Sequence, residues 1–176
     1  MIAAVGYSTL DDALALASSR SELPLLVVLS HLHDPHNVGA IIRTAAVAGA
    51  HGVLIPQKRA CRITPAVVRA SAGAVEYIPL VRIGNISQTL KTLKKRGLWI
   101  AGADLKGEDY REAALLDRPL ALVIGGEDKG LGQLVKETCD MILSIPMRGC
   151  ALPLNASVAA ALLIYEAVRR RGCRLC

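Results

Sequence analysis

Apolar residues fall along this chain in short continuous runs, not in strict alternation. Pro24-Leu-Leu-Val-Val-Leu-Ser30, Gly52-Val-Leu-Ile55, Leu98-Trp-Ile-Ala-Gly102, Leu120-Ala-Leu-Val-Ile124 and Met141-Ile-Leu-Ser-Ile145 are of strand length and apolar almost throughout. Strands of that kind belong in a sheet covered on both faces. Residues 76–81 are a shorter strand candidate. Between the runs the spacing turns helical. Residues 38–48 read as a helix with Asn37 as candidate N-cap. Thr64-Pro65 places a cap residue before a proline at the first helical position. Residues 86–96 repeat apolar positions at 86, 90 and 93. Residues 154–171 form a long helix ending in arginines, which suit its negative dipole end. Leu10-Asp-Asp-Ala-Leu-Ala-Leu-Ala17 is one more helical pattern. The alternation predicts an α/β fold, a mostly parallel sheet with helices on both faces. Residues 1–23 read as a connector, 24–176 as one folded domain, and 106–113 as a polar surface loop.

Composition narrows the function classes. The 176 residues are 52% apolar, enough for one domain with a substantial core. No apolar run reaches the ~20 residues that cross a bilayer, so no membrane association is expected. Met1-Ile-Ala-Ala-Val-Gly-Tyr7 lacks a basic n-region, which argues against a signal peptide and for a cytoplasmic location. The net charge is +6 with a pI near 9.3, a balance that favours a polyanionic partner. There is no Phe, one Trp and four Tyr, few platforms for base stacking. An RNA partner would therefore be held mainly by its phosphates. Lys58, Arg59, Arg62 and Arg69 are candidate contacts. Lys91, Lys94, Lys95 and Arg96 are a second candidate cluster, though a charge run on a helix is more often a solvated face.

Cys61, Cys139 and Cys150 are isolated, and the Cys173-x-x-Cys176 pair has no second pair to complete a zinc site. His31, His33, Asp34 and His36 lie close together. They could bind a metal or simply build the Asp-Pro turn they contain. With no further ligand nearby, no metal is expected.

Three glycine-punctuated segments carry the candidate chemistry: His33-Asp-Pro-His-Asn-Val-Gly-Ala-Ile-Ile-Arg-Thr44, Val123-Ile-Gly-Gly-Glu-Asp-Lys-Gly130 and 145–159. Each follows a strand-like run, and loops at the carboxyl ends of strands are where α/β proteins bind ligands. In the first, Gly39 allows close approach of a backbone or a ligand. Arg43 in an otherwise apolar helix is either a solvent-face residue or a phosphate clamp. The second segment fits neither a Walker loop nor a dinucleotide fingerprint. It is a plain turn or a ligand loop offering backbone amides and carbonyls. In the third, Asn155 either caps the last helix or orients a hydroxyl substrate.

Together, and in this order, the three segments resemble the motifs of the SpoU (TrmH-like) RNA ribose 2′-O-methyltransferases of the SPOUT superfamily. Val67-Val-Arg-Ala-Ser-Ala-Gly-Ala-Val-Glu-Tyr-Ile-Pro79 looks closest to the branch that methylates a guanosine of large-subunit ribosomal RNA. The resemblance implies a deep trefoil knot in the C-terminal part of the sheet. It implies a homodimer with active sites near the interface, and S-adenosyl-L-methionine as cofactor. It assigns Gly125, Ile145 and Leu154 to cofactor contact, with Gly126 and Met147 lining the same pocket. Asn37, Arg43, Glu127 and Asn155 match the polar positions around the transferred methyl group and the ribose. A transfer RNA substrate, or a non-catalytic RNA-binding protein of the same fold, are the alternatives. This chain departs from the pattern at Pro153, where many relatives have serine. It also shows only the apparent linker, 1–23, of a separate RNA-binding domain that close relatives often carry.

Overall fold

The structure, a computed structural model, describes residues 6–126, 130–149 and 152–172. Its elements are α1 (Leu10–Ser19), β1 (Leu25–Ser30), α2 (Pro35–Val47), β2 (Gly52–Pro56), α3 (Pro65–Ala70), β3 (Leu80–Ile83), α4 (Ile86–Lys95), β4 (Trp99–Asp109), β5 (Leu120–Gly125), α5 (Gln133–Thr138), β6 (Met141–Ser144) and α6 (Ala156–Arg170). The six strands form one sheet in the order β3-β2-β1-β5-β4-β6, and every pairing is parallel. The α/β architecture expected from the apolar runs is the one observed.

Side-chain alternation along the strands divides the core in two. Leu25, Val27 and Leu29 of β1 join Leu122 and Ile124 of β5 against Ile41 and Ile42 of α2 and Leu163 and Ile164 of α6. Leu26 and Val28, with Ala121 and Val123, face Ala13 of α1, Leu90 and Leu93 of α4 and Val135 of α5. Both faces are therefore covered, which is why β1 and β5 read as unbroken apolar runs. Ala13 and Ala17 are fully buried, so α1 lies docked on the sheet. Ser8 also donates its amide to Leu80 O at 2.8 Å.

Several boundaries move. Asp34, not Asn37, is the N-cap of α2: its carboxylate accepts the His36 amide at 2.9 Å and Pro35 takes the first helical position. The Asp-Pro turn is thus the start of the helix, and Asn37 lies buried in its first turn. The strand expected at 76–81 shifts to Leu80–Ile83, because Ala74–Glu76 form a 3-10 turn entered through Gly73 at φ +81. The polar stretch from Lys106 to Asp109 continues β4 beyond its pairing with β5, and Glu108 and Asp109 pair with Leu143 and Ser144 of β6 after a register shift. Helix α5 has too few periodic apolar positions to stand out in the sequence.

The arginines ending α6 hold the other end of the sheet together. Arg171 donates to the carbonyls of Leu23 (2.7 Å), Pro24 (3.0 Å) and Leu116 (3.3 Å), and to that of Arg118. Arg169 and Arg170 both pair with Glu166. The Arg169 hydrogen bond, reinforced by Arg170, outweighs burial and holds the Glu166 carboxyl down to about 2. No helix among the described residues is long and apolar enough to cross a membrane.

Candidate active site

The strand order reverses between β1 and β5, and in open α/β sheets ligands bind beyond the strand ends near such a point. Here the crevice is divided. The amide of Gly126, just past β5, donates to Ser30 O at 2.9 Å. A Cβ on Gly126 would lie 2.3 Å from the carbonyl oxygen of His31, so only glycine allows the two loops to touch. Gly130 then donates back to Gly126 O at 2.8 Å and closes the loop.

On the β4–β6 side of that contact lies a cavity of about 320 Å³. Gly125, Gly126, Ile145, Met147 and Leu154, the positions matched to cofactor contact, all line it, and Pro153 does too. Ala156, Ala159 and Leu163 of α6 close its side. Sequence reasoning missed Ala103, Asp104 and Leu105, which lie midway along β4, where its pairing with β5 ends. Asp104 could have been found as an acid just past the apolar run 98–102. Burial acts to raise its carboxyl pKa, but the 2.7 Å ion pair with Lys136 and the Lys106 amide outweigh that and leave it lowered.

Of the polar positions, Asn37 and Asn155 come together and Arg43 lies apart. Asn155 donates its Nδ2 to Asn37 Oδ1 at 2.9 Å, tying the first and third segments together. Its own Oδ1 accepts the Ser157 amide at 2.9 Å, so it is also the cap of α6. Arg43 is exposed, whereas Asn37 is buried, and Arg43 does not line the cavity. It has no ion-pair or hydrogen-bond partner among the described residues. Four residues on, Val47 is 71% exposed, so the two share one helix face. That face borders a shallow groove between α2 and α6 that includes Val158, Leu162 and Tyr165. Glu127 lies outside the described residues, as do Cys150 and the C-terminal Cys173 and Cys176. Gly39 serves packing: a Cβ there would meet Ala70 Cβ at 2.5 Å, so the close approach is by α3 and not by a ligand.

The two basic clusters also differ. Lys94 pairs with Asp140 at 2.8 Å and Arg96 with Asp11. Lys58, Arg59, Arg62 and Arg69 are exposed and have no ion pair among the described residues. No group of three or more metal-ligating side chains converges among the described residues. Burial pushes the Cys139 thiol up to about 11 and raises Cys61, so neither is a reactive thiolate.

Residues 24–165 match the model of the SpoU rRNA Methylase family. The chain belongs to the SpoU family of RNA methyltransferases. YacO of Bacillus subtilis (strain 168), assigned to the TrmH family of tRNA/rRNA methyltransferases, is 48% identical over 97% of this chain and 69% of its own length. The SpoU methyltransferase AviRb from Streptomyces viridochromogenes, solved with S-adenosyl-L-methionine bound, superposes with a TM-score of 0.79 at 34% identity, covering 85% of this chain and 61% of that one. An RNA 2′-O ribose methyltransferase structure superposes at 0.75 with 34% identity, covering 86% and 58%. This chain thus spans between 58% and 69% of these relatives' lengths.

The cavity suits the cofactor of the family, S-adenosyl-L-methionine. Its walls are mainly apolar, which suits an adenine ring, and Gly125, Gly126 and Gly130 bring main-chain groups to it. Asp104, kept ionised, is the acidic group on its wall among the described residues. That charge complements a cofactor that carries a sulfonium and an ammonium.

Proposed function

We propose that this chain methylates a ribose 2′-hydroxyl in RNA, at a guanosine of large-subunit ribosomal RNA. The observation that carries the reading is the single cavity that gathers Gly125, Gly126, Ile145, Met147 and Leu154 beside the Asn37–Asn155 bond. Bound S-adenosyl-L-methionine supplies an electrophilic methyl group. The chain's residues align the attacking oxygen with it, and alignment is a large part of the rate of such a displacement. As the oxygen–methyl bond forms, the methyl–sulfur bond breaks to leave a neutral thioether, and the 2′-hydroxyl proton passes to water. A guanidinium stays charged, so Arg43 acts as an electrostatic clamp on the substrate phosphate and the developing alkoxide. Asn37 and Glu127 position Arg43 and the ribose, and Asn155 fixes the third segment while capping α6.

The protein works as a homodimer. The exposed apolar face of α2 and α6, with Val47, Val158, Leu162 and Tyr165 at 71%, 48%, 39% and 44% exposure, supports a second copy docking there. Docking would bring Arg43, absent from the wall of its own cavity, beside the partner's. A trefoil knot fits the path of the chain, since α6 returns from edge strand β6 to pack on α2 and β5. Residues 24–176 act as the catalytic domain.

Calorimetry with S-adenosyl-L-methionine should show micromolar binding by the wild type and none by Leu154→Arg. Methyl transfer to ribosomal and transfer RNA, with the product nucleoside mapped by mass spectrometry, then tests the substrate. A product on the base, or on transfer RNA alone, would overturn this assignment. Arg43→Ala should reduce transfer by at least about a hundredfold with cofactor affinity unchanged.

A further inference from the structure

On the other side of the Gly126–His31 contact a second cavity, of about 450 Å³, opens over the ends of β1, β2 and β3. Lys58 and Arg59 line it with Asn85 and Ser87, and no carboxylate does among the described residues. Helix α4 starts here. Asn85 caps it by accepting the Gln88 amide at 2.9 Å, which leaves the amides of Ile86 and Ser87 without intrahelical partners. Such a helix end carries a positive partial charge.

Ser87 points independently to a ligand. It is only 6% exposed, it lines this cavity, and its hydroxyl has no hydrogen-bond partner among the described residues. The carbonyl four residues back, Ile83 O, already accepts the Gln57 amide at 2.8 Å. Facing the cavity, this hydroxyl is available to donate to a ligand there. This one stands beside free amides and two cations with no ion pair, a donor set that matches the oxygens of a phosphate.

We propose that the α4 cavity is a phosphate subsite that holds a backbone phosphodiester of the RNA strand next to the target nucleotide. The Ser87 hydroxyl and the Ile86 and Ser87 amides donate to its non-bridging oxygens, and Lys58 and Arg59 neutralise its charge. The Gly126–His31 contact is the wall between this subsite and the methyl-transfer cavity, so one strand can lie across both. The inference rests on RNA being the substrate.

Amide spectra of the full chain test it with two probes, inorganic phosphate and a single-stranded oligoribonucleotide. Both should shift the Ile86 and Ser87 amides, and the RNA should displace phosphate. Ser87→Ala should weaken RNA binding about tenfold, and Ser87→Thr should restore most of it. Lys58→Ala and Arg59→Ala should each reduce the slope of log affinity against log salt by about 0.7. S-adenosyl-L-methionine affinity should stay unchanged in all of them, which shows that they are folded. Shifts with phosphate but not with RNA would overturn the proposal, as would variants that bind RNA like the wild type. A wild type that binds the cofactor but no RNA would defeat the RNA reading and this subsite with it.

Discussion

The two edges of the sheet use polar groups in opposite ways. At the edge where strands begin, polar atoms are committed to protein partners. Arg171 bridges the carbonyls of Leu23, Pro24 and Leu116. Buried His51 accepts the Leu25 amide on Nδ1 at 3.0 Å and donates from Nε2 to Glu22 at 2.8 Å. At the edge where strands end, Lys58, Arg59 and the Ser87 hydroxyl have no protein partner among the described residues, and Met147 and Leu154 stand 42% and 38% exposed. One edge is arranged for stability and the other is left open for ligands, as parallel α/β sheets allow.

Substitutions at each edge can break that contrast. The largest effect is expected from Gly126→Ala, since its new methyl has no room beside His31 O. It should cost about 3 kcal/mol in denaturant unfolding and abolish cofactor binding by calorimetry, because the glycine loop must move. Arg171→Met, at the opposite edge, should cost about 2 kcal/mol while methyl transfer at low temperature stays near normal. Activity loss in excess of unfolding would blur the division between the edges. Asn155→Ala removes both a cap and the link to Asn37, for about 1 kcal/mol. Asn155→Asp keeps the cap acceptor but loses the donor to Asn37, so its stability should recover while transfer stays impaired.

The smallest effect is a pH dependence at His51. Desolvation lowers its pKa, and the Glu22 contact only partly compensates. The unfolded chain therefore binds this proton more readily. Stability is full above the unfolded value of 6.5 and falls as acid protonates the unfolded chain, until the lower folded pKa is passed. His51→Asn, which retains an acceptor for the Leu25 amide, should flatten unfolding midpoints measured from pH 7 to pH 5.

The sheet was legible because its central strands are buried on both faces and so lack polar interruptions. The helix start at Asp34 was misread one turn late: Asp-Pro serves as turn and cap alike, and only the packing of Asn37 separates them. Lys106 to Asp109 looked like a loop because β4 leaves the covered part of the sheet there, and burial no longer selects apolar residues. The glycine segments marked the cavity well, but spacing along a chain carries no information on how loops meet. Thus the Asn37–Asn155 bond and the separation of Arg43 from the cavity wall emerged only in three dimensions. Arg171 was read as dipole compensation, and its bridging of strand entries depends on contacts too distant in sequence for any pattern.

The central strand pairing also governs how the molecule is made. Leu25 lies beside Leu120, and the last turn of α6 closes over Leu23 and Pro24. During synthesis β1 emerges early and must wait, its apolar edge unpaired, until β5 has followed it out of the ribosome. Contacts of such long sequence separation make folding slow and expose intermediates to aggregation. Chaperone dependence of the nascent chain should therefore end only when α6 has emerged.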